Sequence, residues 1–583
     1  MTATPPDESR LTWIRAGALA DLAPGGARVV SHDGLRIAVF RTADGALAAL
    51  DDRCPHEGYP LAKGFVNQGV VTCRWHAFRY DLKTGRCLVG DEHARVFPVR
   101  VIDDHIEVGV AAPDRDALRR RAEASLEHGL ERRRRGQVAR DVVRLLEAGA
   151  TPRDVMRHAI HFDAARAPYG TTHVPALAWD LLGRLPGIAA RLGEDGVVAA
   201  LLQPLDLCAD PLARHPPRPR PAPEDPGPDP DAALVTLRAR VEAEDADGAE
   251  ALVRGAVLIR GETLATLADW LGALVDDHLL DFGHAAIYLP KLLAWLSDEP
   301  PSSLDLVLGA FTRGVTLGTR EELVPEWGAY TRHLDDGFMG PPATLEALRE
   351  ALVDGPRDAV VPAVRRALAD HPRDRVIDQL VLAASLHLLR YDLAVERDPT
   401  VQEGWLDVTH ALTLSSALRD APPDHDRLVL LAAAFIHARR GLHAPPDVRA
   451  WDERAHAPRH AFAGGDLDDA IQQALEARDA DAMLGPADAL ARTSPEALVD
   501  LLEDWCLTRG AGRAIFQAHH HKTMIAALAE AKRLATRAPA LAHLPLVAAA
   551  RFVAAPLQER SLMRLAHEAN RFVKQSRVPR RLT

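Results

Sequence analysis

The order of apolar and polar positions divides the chain into a strand-rich beginning and a much longer helical remainder. Between residues 11 and 110, short runs rich in β-branched residues, such as 36–40 and 96–101, alternate with glycine and aspartate turns. After Pro113, alanine and leucine dominate, and the apolar residues recur at helical spacing. The pattern predicts a multidomain protein, with an all-β domain over 11–112 followed by a large all-α helical domain.

A proline-rich stretch interrupts the helical part. Residues 204–231 include many prolines between 216 and 230, and such a stretch favours extended polyproline conformations over a helix. We expect 204–231 to be a surface loop or linker, and the pattern leaves open whether it separates two domains. The helical regions 113–203 and 232–580 on either side of it are expected to form one unit.

The composition and charge narrow the class of protein. Among 583 residues, 82 are acidic and 70 are basic, and the net charge of −12 argues against general nucleic-acid binding. The five cysteines are scattered, which indicates a reducing compartment and no disulfide framework. No apolar run reaches the roughly 18 residues of a membrane helix, and the first ten residues lack the apolar core of a signal peptide. We therefore expect a cytoplasmic protein that has no membrane partner.

Four residues of the β domain indicate its chemistry: Cys54, His56, Cys73 and His76. Two short loops each offer one thiolate and one imidazole. A Rieske [2Fe–2S] centre needs this set, because two cysteines bind one iron and two histidines bind the other. Zinc accepts the same ligand types but does not account for the neighbouring residues. We predict these four residues as the ligands of a [2Fe–2S] cluster, with the two histidines at its exposed edge.

Residues 12–110 resemble a bacterial Rieske ferredoxin-type domain, a group that includes small subunits of nitrite reductases and ferredoxins of ring-hydroxylating systems. The resemblance rests on three segments: 54–61, 71–81 and 84–85. It implies a carrier of single electrons. Gly90-Asp91 lacks the proline of the loop that often covers the cluster, and Arg74 stands where proline is frequent, so the potential and the docking of partners could differ. Because the chain has no glycine-rich nucleotide-binding motif, we expect a separate ferredoxin or flavin reductase as the electron donor.

Histidines recur beside the apolar runs of the helical region. His173, His284 and His410 each open an apolar run that contains few other polar groups. Such imidazoles could bind a metal (a second iron), bind a substrate or move protons, or each could be a hydrogen-bonded core residue. The other histidines at such runs are His158, His161, His387, His437 and the consecutive His519, His520 and His521. Neither the Glu-x-x-His pairs of di-iron proteins nor the His-x4-His pattern of Rieske oxygenase catalytic subunits is evident, which argues against a ring-hydroxylating α-subunit.

Three segments of the helical region also resemble the questin oxidase-like family: 169–177, 281–287 and 408–413. In the first of them, Thr171, His173 and Pro175 keep the order of the family's Thr-x-His-x-Pro motif. The resemblance implies a helical enzyme that oxidises aromatic polyketides, with His173, His284 and His410 facing the substrate or a metal. A fused Rieske domain is not usual in that family, so the supply of electrons could differ.

These observations support two main hypotheses about function. In the first, the chain is a monooxygenase-like oxidoreductase, whose Rieske domain passes electrons to a helical domain that acts on a small organic, possibly aromatic, substrate. In the second, the chain is a non-catalytic electron carrier or redox sensor, and the helices form an interaction scaffold. A metal-free helical enzyme with a regulatory cluster is a third alternative. Metal beyond the two cluster irons would favour the first hypothesis.

Overall fold

The computed structural model describes residues 11–111, 114–209, 212–398, 404–422, 426–510 and 513–556, with isolated positions between 566 and 574. Strands continue to Ala111 and helices follow from Arg115, which confirms the predicted order of an all-β domain and a large helical region. The predicted limits at 112, 113 and 580 lie outside the described residues. The chain separates into two units, Met1–Thr151 and Pro152–Thr583.

Within residues 11–111, ten strands form three antiparallel sheets, in the orders β1-β10-β9, β2-β3-β4-β8 and β5-β6-β7. The strands are β1 Leu11–Ala18, β2 Ala27–His32, β3 Leu35–Arg41, β4 Leu47–Asp51, β5 Phe65–Asn67, β6 Val70–Thr72, β7 Arg79–Asp81, β8 Val96–Phe97, β9 Val99–Ile102 and β10 His105–Ala111. Because neighbouring side chains of a strand point to opposite faces, β3 serves two cores. Ile37 and Val39 enter one core, and Ala38 and Phe40 enter the other, which lies against the two loops that carry Cys54 and Cys73.

A helical hairpin completes the first unit. It consists of α1, Arg115–Glu131, and α2, Arg135–Glu147. The α2 side chains Arg140 and Arg144 pair with the buried carboxylate of Glu92, and Arg144 also donates to the carbonyl of Pro55 at 3.3 Å. The hairpin therefore packs on the β domain beside the first cysteine loop, although its sequence has the alanine- and leucine-rich character of the helical region.

The second unit is helical. Its helices are α3 Pro152–Arg166, α4 Val174–Ala209, α5 Pro230–Glu242, α6 Ala246–Gly255, α7 Leu264–Asp277, α8 His284–Leu296, α9 Pro301–Leu317, α10 Gly328–Thr331, α11 Leu345–Asp354, α12 Val360–Asp370, α13 Arg373–Arg390, α14 Trp405–Ala417, α15 Asp426–Ala438, α16 Leu467–Ala477, α17 Leu484–Thr493, α18 Pro495–Thr508, α19 Ala514–Arg537 and α20 Leu544–Val553. A short hairpin of two strands with two residues each, β11 Trp451–Asp452 and β12 Ala457–Pro458, lies between α15 and α16. Of the helices that the structure describes, none is both long and apolar enough to cross a membrane.

The predicted loop 204–231 is too long at both ends: α4 continues to Ala209, because the apolar residues after Pro204 are buried, and α5 begins at Pro230. The prolines between 216 and 228 lie in an extended strap on the helices of the second unit. Arg218 pairs with the buried carboxylate of Glu250 at 2.9 Å, and Arg220 pairs with Asp305 at 2.7 Å. The strap passes so close to α6 that a Cβ atom at Gly255 would lie 1.6 Å from the carbonyl oxygen of Glu224. The strap's backbone also bonds to neighbouring helices, as a segment without helix or sheet requires. The N–H of Arg218 donates to the carbonyl of Ala165 at 2.7 Å, and the N–H of Glu224 donates to the carbonyl of Ala251 at 2.9 Å.

Candidate functional site

The two loops with the predicted cluster ligands have the same backbone hydrogen-bond pattern. In each loop, the cysteine N–H donates to the carbonyl five residues later, at 2.9 Å from Cys54 and 2.8 Å from Cys73. The N–H four residues later donates back to the cysteine carbonyl, at 2.7 Å from Gly58 and 3.1 Å from Ala77. Both of these residues have a left-handed backbone, with φ of +77° and +57°. Two equivalent turns therefore present one cysteine and one histidine each.

The side chains of the two loops fit a [2Fe–2S] cluster. Cys54 and Cys73 are buried, whereas the His76 side chain is 39% exposed. The rings of His56 and His76 lie 4.8 Å apart, and His56 Nδ1 is buried without a hydrogen-bond partner among the described residues. A buried imidazole nitrogen without a partner fits the role of a metal ligand. These four residues would hold a cluster that accepts and donates single electrons.

A hydroxyl group touches the first cysteine. Tyr80 is buried in the core behind the two loops, and its hydroxyl lies 3.2 Å from the sulfur of Cys54. A hydroxyl that donates to a cluster thiolate stabilises the more negative, reduced state and so raises the reduction potential. The side chain of Arg74, the residue directly after the second cysteine, lies over a neighbouring aromatic ring: its guanidinium is 4.2 Å from the centre of the Phe65 ring.

The helical unit contains a cluster of four histidines from separate parts of its sequence, which we call the histidine cluster: His173, His284, His410 and His519. One ring nitrogen of each lies within 4.8 Å of those of the other three. His173 directly precedes α4, His284 begins α8, and His410 and His519 lie within α14 and α19. The Nε2 atom of His410 is 2.7 Å from Nε2 of His284 and 3.2 Å from Nε2 of His519.

The hydrogen bonds of the cluster determine where two of these imidazoles carry their protons. His410 Nδ1 donates to the carbonyl of Leu406, and His519 Nδ1 donates to the carbonyl of Ile515 at 2.7 Å. Their Nε2 atoms, 3.2 Å apart, therefore both present lone pairs and cannot hydrogen-bond each other. A backbone carbonyl that holds the far nitrogen of an imidazole is the usual support of a metal-binding histidine.

The lone pair of His410 can accept from Nε2 of a neutral His284, 2.7 Å away. Protonation of the imidazoles does not offer the lone pair of His519 a partner. Burial lowers the pKa of all four histidines well below its ordinary value, and the nearby Lys522 lowers it further. The imidazoles are therefore neutral. In addition, Nε2 of His173 is buried without a partner among the residues described. A metal cation would satisfy all of these nitrogens at once, and imidazole suits iron, copper, zinc and nickel.

The turn that places His284 has a strained backbone. Asp281, Phe282 and Gly283, directly before His284, have φ of +45°, +61° and +85°. The Phe282 ring stacks on His410, with ring centres 5.6 Å apart. A left-handed backbone is costly for Asp281 and Phe282, though not for Gly283, and such strain concentrates at functional sites.

The turn before His173 is held by a buried carboxyl group. Asp163 contacts the hydroxyl of Thr172 at 2.6 Å and accepts its backbone N–H at 3.1 Å. Gly170, with φ of +100°, lies against α9, where a Cβ atom would come within 2.4 Å of Gly314. The loop that carries His173 is therefore anchored on both sides.

A cavity of about 220 Å³ adjoins the histidine cluster. His173, His284 and Tyr288 form part of its wall, and the hydroxyl of Tyr288 is buried without a partner within the described part of the chain. The apolar side chains that line it include Leu280, Phe311 and Val315. Polar residues, among them Thr171, Thr172 and Asp281, line much of the remaining wall, so polar and apolar groups contribute about equally. A concave site that combines apolar side chains with convergent polar groups can bind a small molecule.

The structure thus brings together the three histidines that the sequence singled out, and adds His519. Three of the other candidates have partners elsewhere: His161 contacts Ser303, His387 contacts His443, and His437 contacts Tyr330. The sequence signal for His519 was the run of three histidines before Lys522, all of which are buried in α19.

Comparison with known proteins identifies the first unit. The model of the Rieske [2Fe-2S] domain matches residues 12–100. The chain is 41% identical over 76 residues to the anthranilate 1,2-dioxygenase ferredoxin subunit of Burkholderia cepacia, covering 13% of this chain and 69% of that protein. It is 31% identical over 94 residues to the biphenyl dioxygenase ferredoxin subunit of Pseudomonas sp. (strain KKS102), covering 16% and 85%. The structure of a putative NADH-dependent nitrite reductase small subunit from Mycobacterium tuberculosis is 28% identical, with 18% of this chain and 98% of that chain covered and a TM-score of 0.17.

The fold and the ligand set define an electron-transfer domain with a [2Fe–2S] cluster. Through this N-terminal domain, the chain belongs to the Rieske [2Fe–2S] family.

Proposed function

We propose that the chain is an oxidoreductase whose Rieske domain feeds single electrons to a metal site in the helical unit. A ferredoxin or flavin reductase is the electron donor, and a small organic, aromatic substrate is oxidised in a monooxygenase-type reaction. The observation that carries the proposal is the pair of Nε2 lone pairs of His410 and His519, which face each other at 3.2 Å with their protons committed elsewhere. Fusion of donor and acceptor in one chain keeps both at a high effective concentration.

His173, His284, His410 and His519 would hold the metal, which we take to be iron because the proposed donor supplies one electron at a time. A bound iron would supply redox chemistry towards oxygen. The protein's own contribution is a dry, shaped site. Burial keeps all four imidazoles neutral and able to bind a cation. The cavity of about 220 Å³ places an apolar molecule against two of the four ligands.

The resemblance of three helical segments to the questin oxidase-like family supports the same assignment. His173, His284 and His410 are the residues that this resemblance carries over, and their side chains lie within one cluster. The relatives of the first unit include the ferredoxin subunits of anthranilate 1,2-dioxygenase and biphenyl dioxygenase. An aromatic compound is therefore the substrate class to test first.

Metal analysis of the full chain tests the proposal. After anaerobic purification, we expect about two irons for the Rieske cluster and about one further metal ion per chain. The variant His519→Gln should lose the further ion and keep the Rieske signal in electron paramagnetic resonance. His520→Gln is the matched control, because His520 is buried on the same helix but lies beside Phe552 instead of the cluster.

Two results would contradict the proposal. One is a chain that holds only the cluster irons, even after incubation with ferrous iron. The other is equal metal loss from His519→Gln and His520→Gln, which would indicate a general effect on folding. Either result would favour an electron carrier or redox sensor fused to a helical scaffold.

A further inference from the structure

Lys522 is buried next to the histidine cluster without a counter-charge of its own. It lies one helical turn after His519 on α19 and is only 1% exposed. Its Nζ atom has no hydrogen-bond partner among the residues that the structure describes, and it lies 5.9 Å from the centre of the Tyr288 ring. The Tyr288 ring in turn stacks on the imidazole of His284, with ring centres 5.2 Å apart, so the amine lies beside the histidine cluster. A buried amine without a partner is costly, so it calls for a functional reason.

The charged groups that face Lys522 do not neutralise it. Asp180 on α4 and Lys291 on α8 both influence Lys522, but the carboxylate of Asp180 is already paired with Lys291. Burial therefore dominates and lowers the pKa of Lys522 well below its ordinary value. An anion close to the amine would favour its protonation and would accept a hydrogen bond from the resulting ammonium.

The histidine cluster has the same deficit of negative charge. Its four ligands are neutral imidazoles, and no carboxylate belongs to the group of ligand atoms in the described chain. A divalent cation bound there would keep its full charge beside the lysine. The lysine can take up a proton beside such a cation only if an anion lies close to both charges.

We propose that Lys522 and the histidine cluster together form a subsite for an anionic oxygen of the organic substrate. The inference rests on the proposed function and extends it, because it assigns the substrate class: a small, mainly apolar molecule with a carboxylate or an ionised phenol. The ammonium of Lys522 donates to this anion, and the unpartnered hydroxyl of Tyr288 in the cavity wall offers a second donor. The apolar remainder of the molecule lies against Leu280, Phe311 and Val315.

Anion binding to the metal-loaded full chain tests the subsite. The probe is azide, titrated while the electron paramagnetic resonance of the helical metal is recorded, with metal content measured in the same samples. We expect Lys522→Met to weaken azide binding by about tenfold to a hundredfold, the range for loss of one hydrogen bond to a charged group. Lys532→Met is the control, because Lys532 lies on the same helix but pairs with Glu496 at the surface. Acetate and phenol, used as further probes, distinguish a carboxylate from a phenolate.

The outcomes separate this inference from the proposed function. Unchanged azide affinity in a Lys522→Met protein that retains its metal would overturn the inference alone. Absence of the helical metal from the wild-type chain would overturn both. If Lys522→Met loses the metal, Lys522→Gln replaces it, and Lys522→Arg is expected to restore azide binding because the charge returns. A Lys522→Arg protein that binds metal but no more azide than Lys522→Gln would refute the role of the charge.

Discussion

The carboxyl group of Asp163 should make the stability of the helical unit depend on pH. This side chain is fully buried, and burial raises its pKa from 3.8 to about 7. It contacts the hydroxyl and the backbone N–H of Thr172, the residue before His173. A protonated carboxyl group satisfies both contacts, since it donates to the hydroxyl and accepts from the N–H. Asparagine in the same orientation can do the same, so Asp163→Asn mimics the protonated state.

The size and the sign of the effect follow from linkage. In the unfolded chain, Asp163 loses its proton near pH 3.8, whereas in the folded chain it keeps the proton up to about pH 7. Between these values the unfolded state binds fewer protons, so the free energy of unfolding falls as the pH rises. A shift of about three pKa units corresponds to about 4 kcal/mol, all of which is lost once the pH exceeds the folded pKa. No discount for solvent applies, because the carboxyl group is completely buried.

Urea unfolding of the full chain, followed by circular dichroism at helical wavelengths, measures this effect. The quantity of interest is the free energy of unfolding of Asp163→Asn minus that of the wild type, because other titrating groups cancel in the difference. We expect it to increase by about 3 kcal/mol between pH 5 and pH 8 in favour of the variant. Asp163→Leu, which loses both contacts to Thr172, should be less stable than Asp163→Asn at every pH. A difference between Asp163→Asn and the wild type that stays constant over this range would refute the reasoning.

Two predictions concern the first unit. Tyr80→Phe should lower the reduction potential of the Rieske cluster, measured by voltammetry, because the hydroxyl 3.2 Å from the sulfur of Cys54 is lost. Tyr59→Phe is the control, and equal potentials in the two variants would contradict a hydrogen bond from Tyr80 to the cluster thiolate. A fragment of residues 1–151 should keep the Rieske signal and melt at a higher temperature than a fragment of residues 1–112, because the shorter one lacks the arginines that pair with Glu92. Equal melting temperatures would show that the hairpin adds nothing to the stability of the domain.

The first site could be predicted from the sequence because its ligands are close in the chain and lie in turns. The pattern from Cys54 to His76 occupies a single short stretch, and each half is a local loop closed by its own hydrogen bonds. A ligand pattern this local can be recognised in the sequence without knowledge of the fold. The packing of the hairpin α1–α2 on this domain could not be predicted from the sequence, because the apolar face of a helix does not indicate which partner covers it.

The histidine cluster was only partly predictable, because its ligands meet through long-range packing. His284 and His410 are 126 positions apart, and His410 and His519 are 109 apart. No spacing rule connects such residues. Three of the four were singled out because each opens an apolar run, while His519 was hidden within a run of three histidines whose members point in different directions.

The helix α19 indicates how such a site could be recognised in a sequence before its partners are known. Around His519, the residues from Gln517 to Thr523 are all buried, although most of them are polar. Several of their polar atoms, including Nζ of Lys522, have no hydrogen-bond partner among the described residues. Each such group costs stability, so a fold that retains many of them in one helix must offset the cost elsewhere or use them. A cation would satisfy the neutral imidazoles and an anion would satisfy the amine, which is why we propose a metal and an anionic substrate beside this helix.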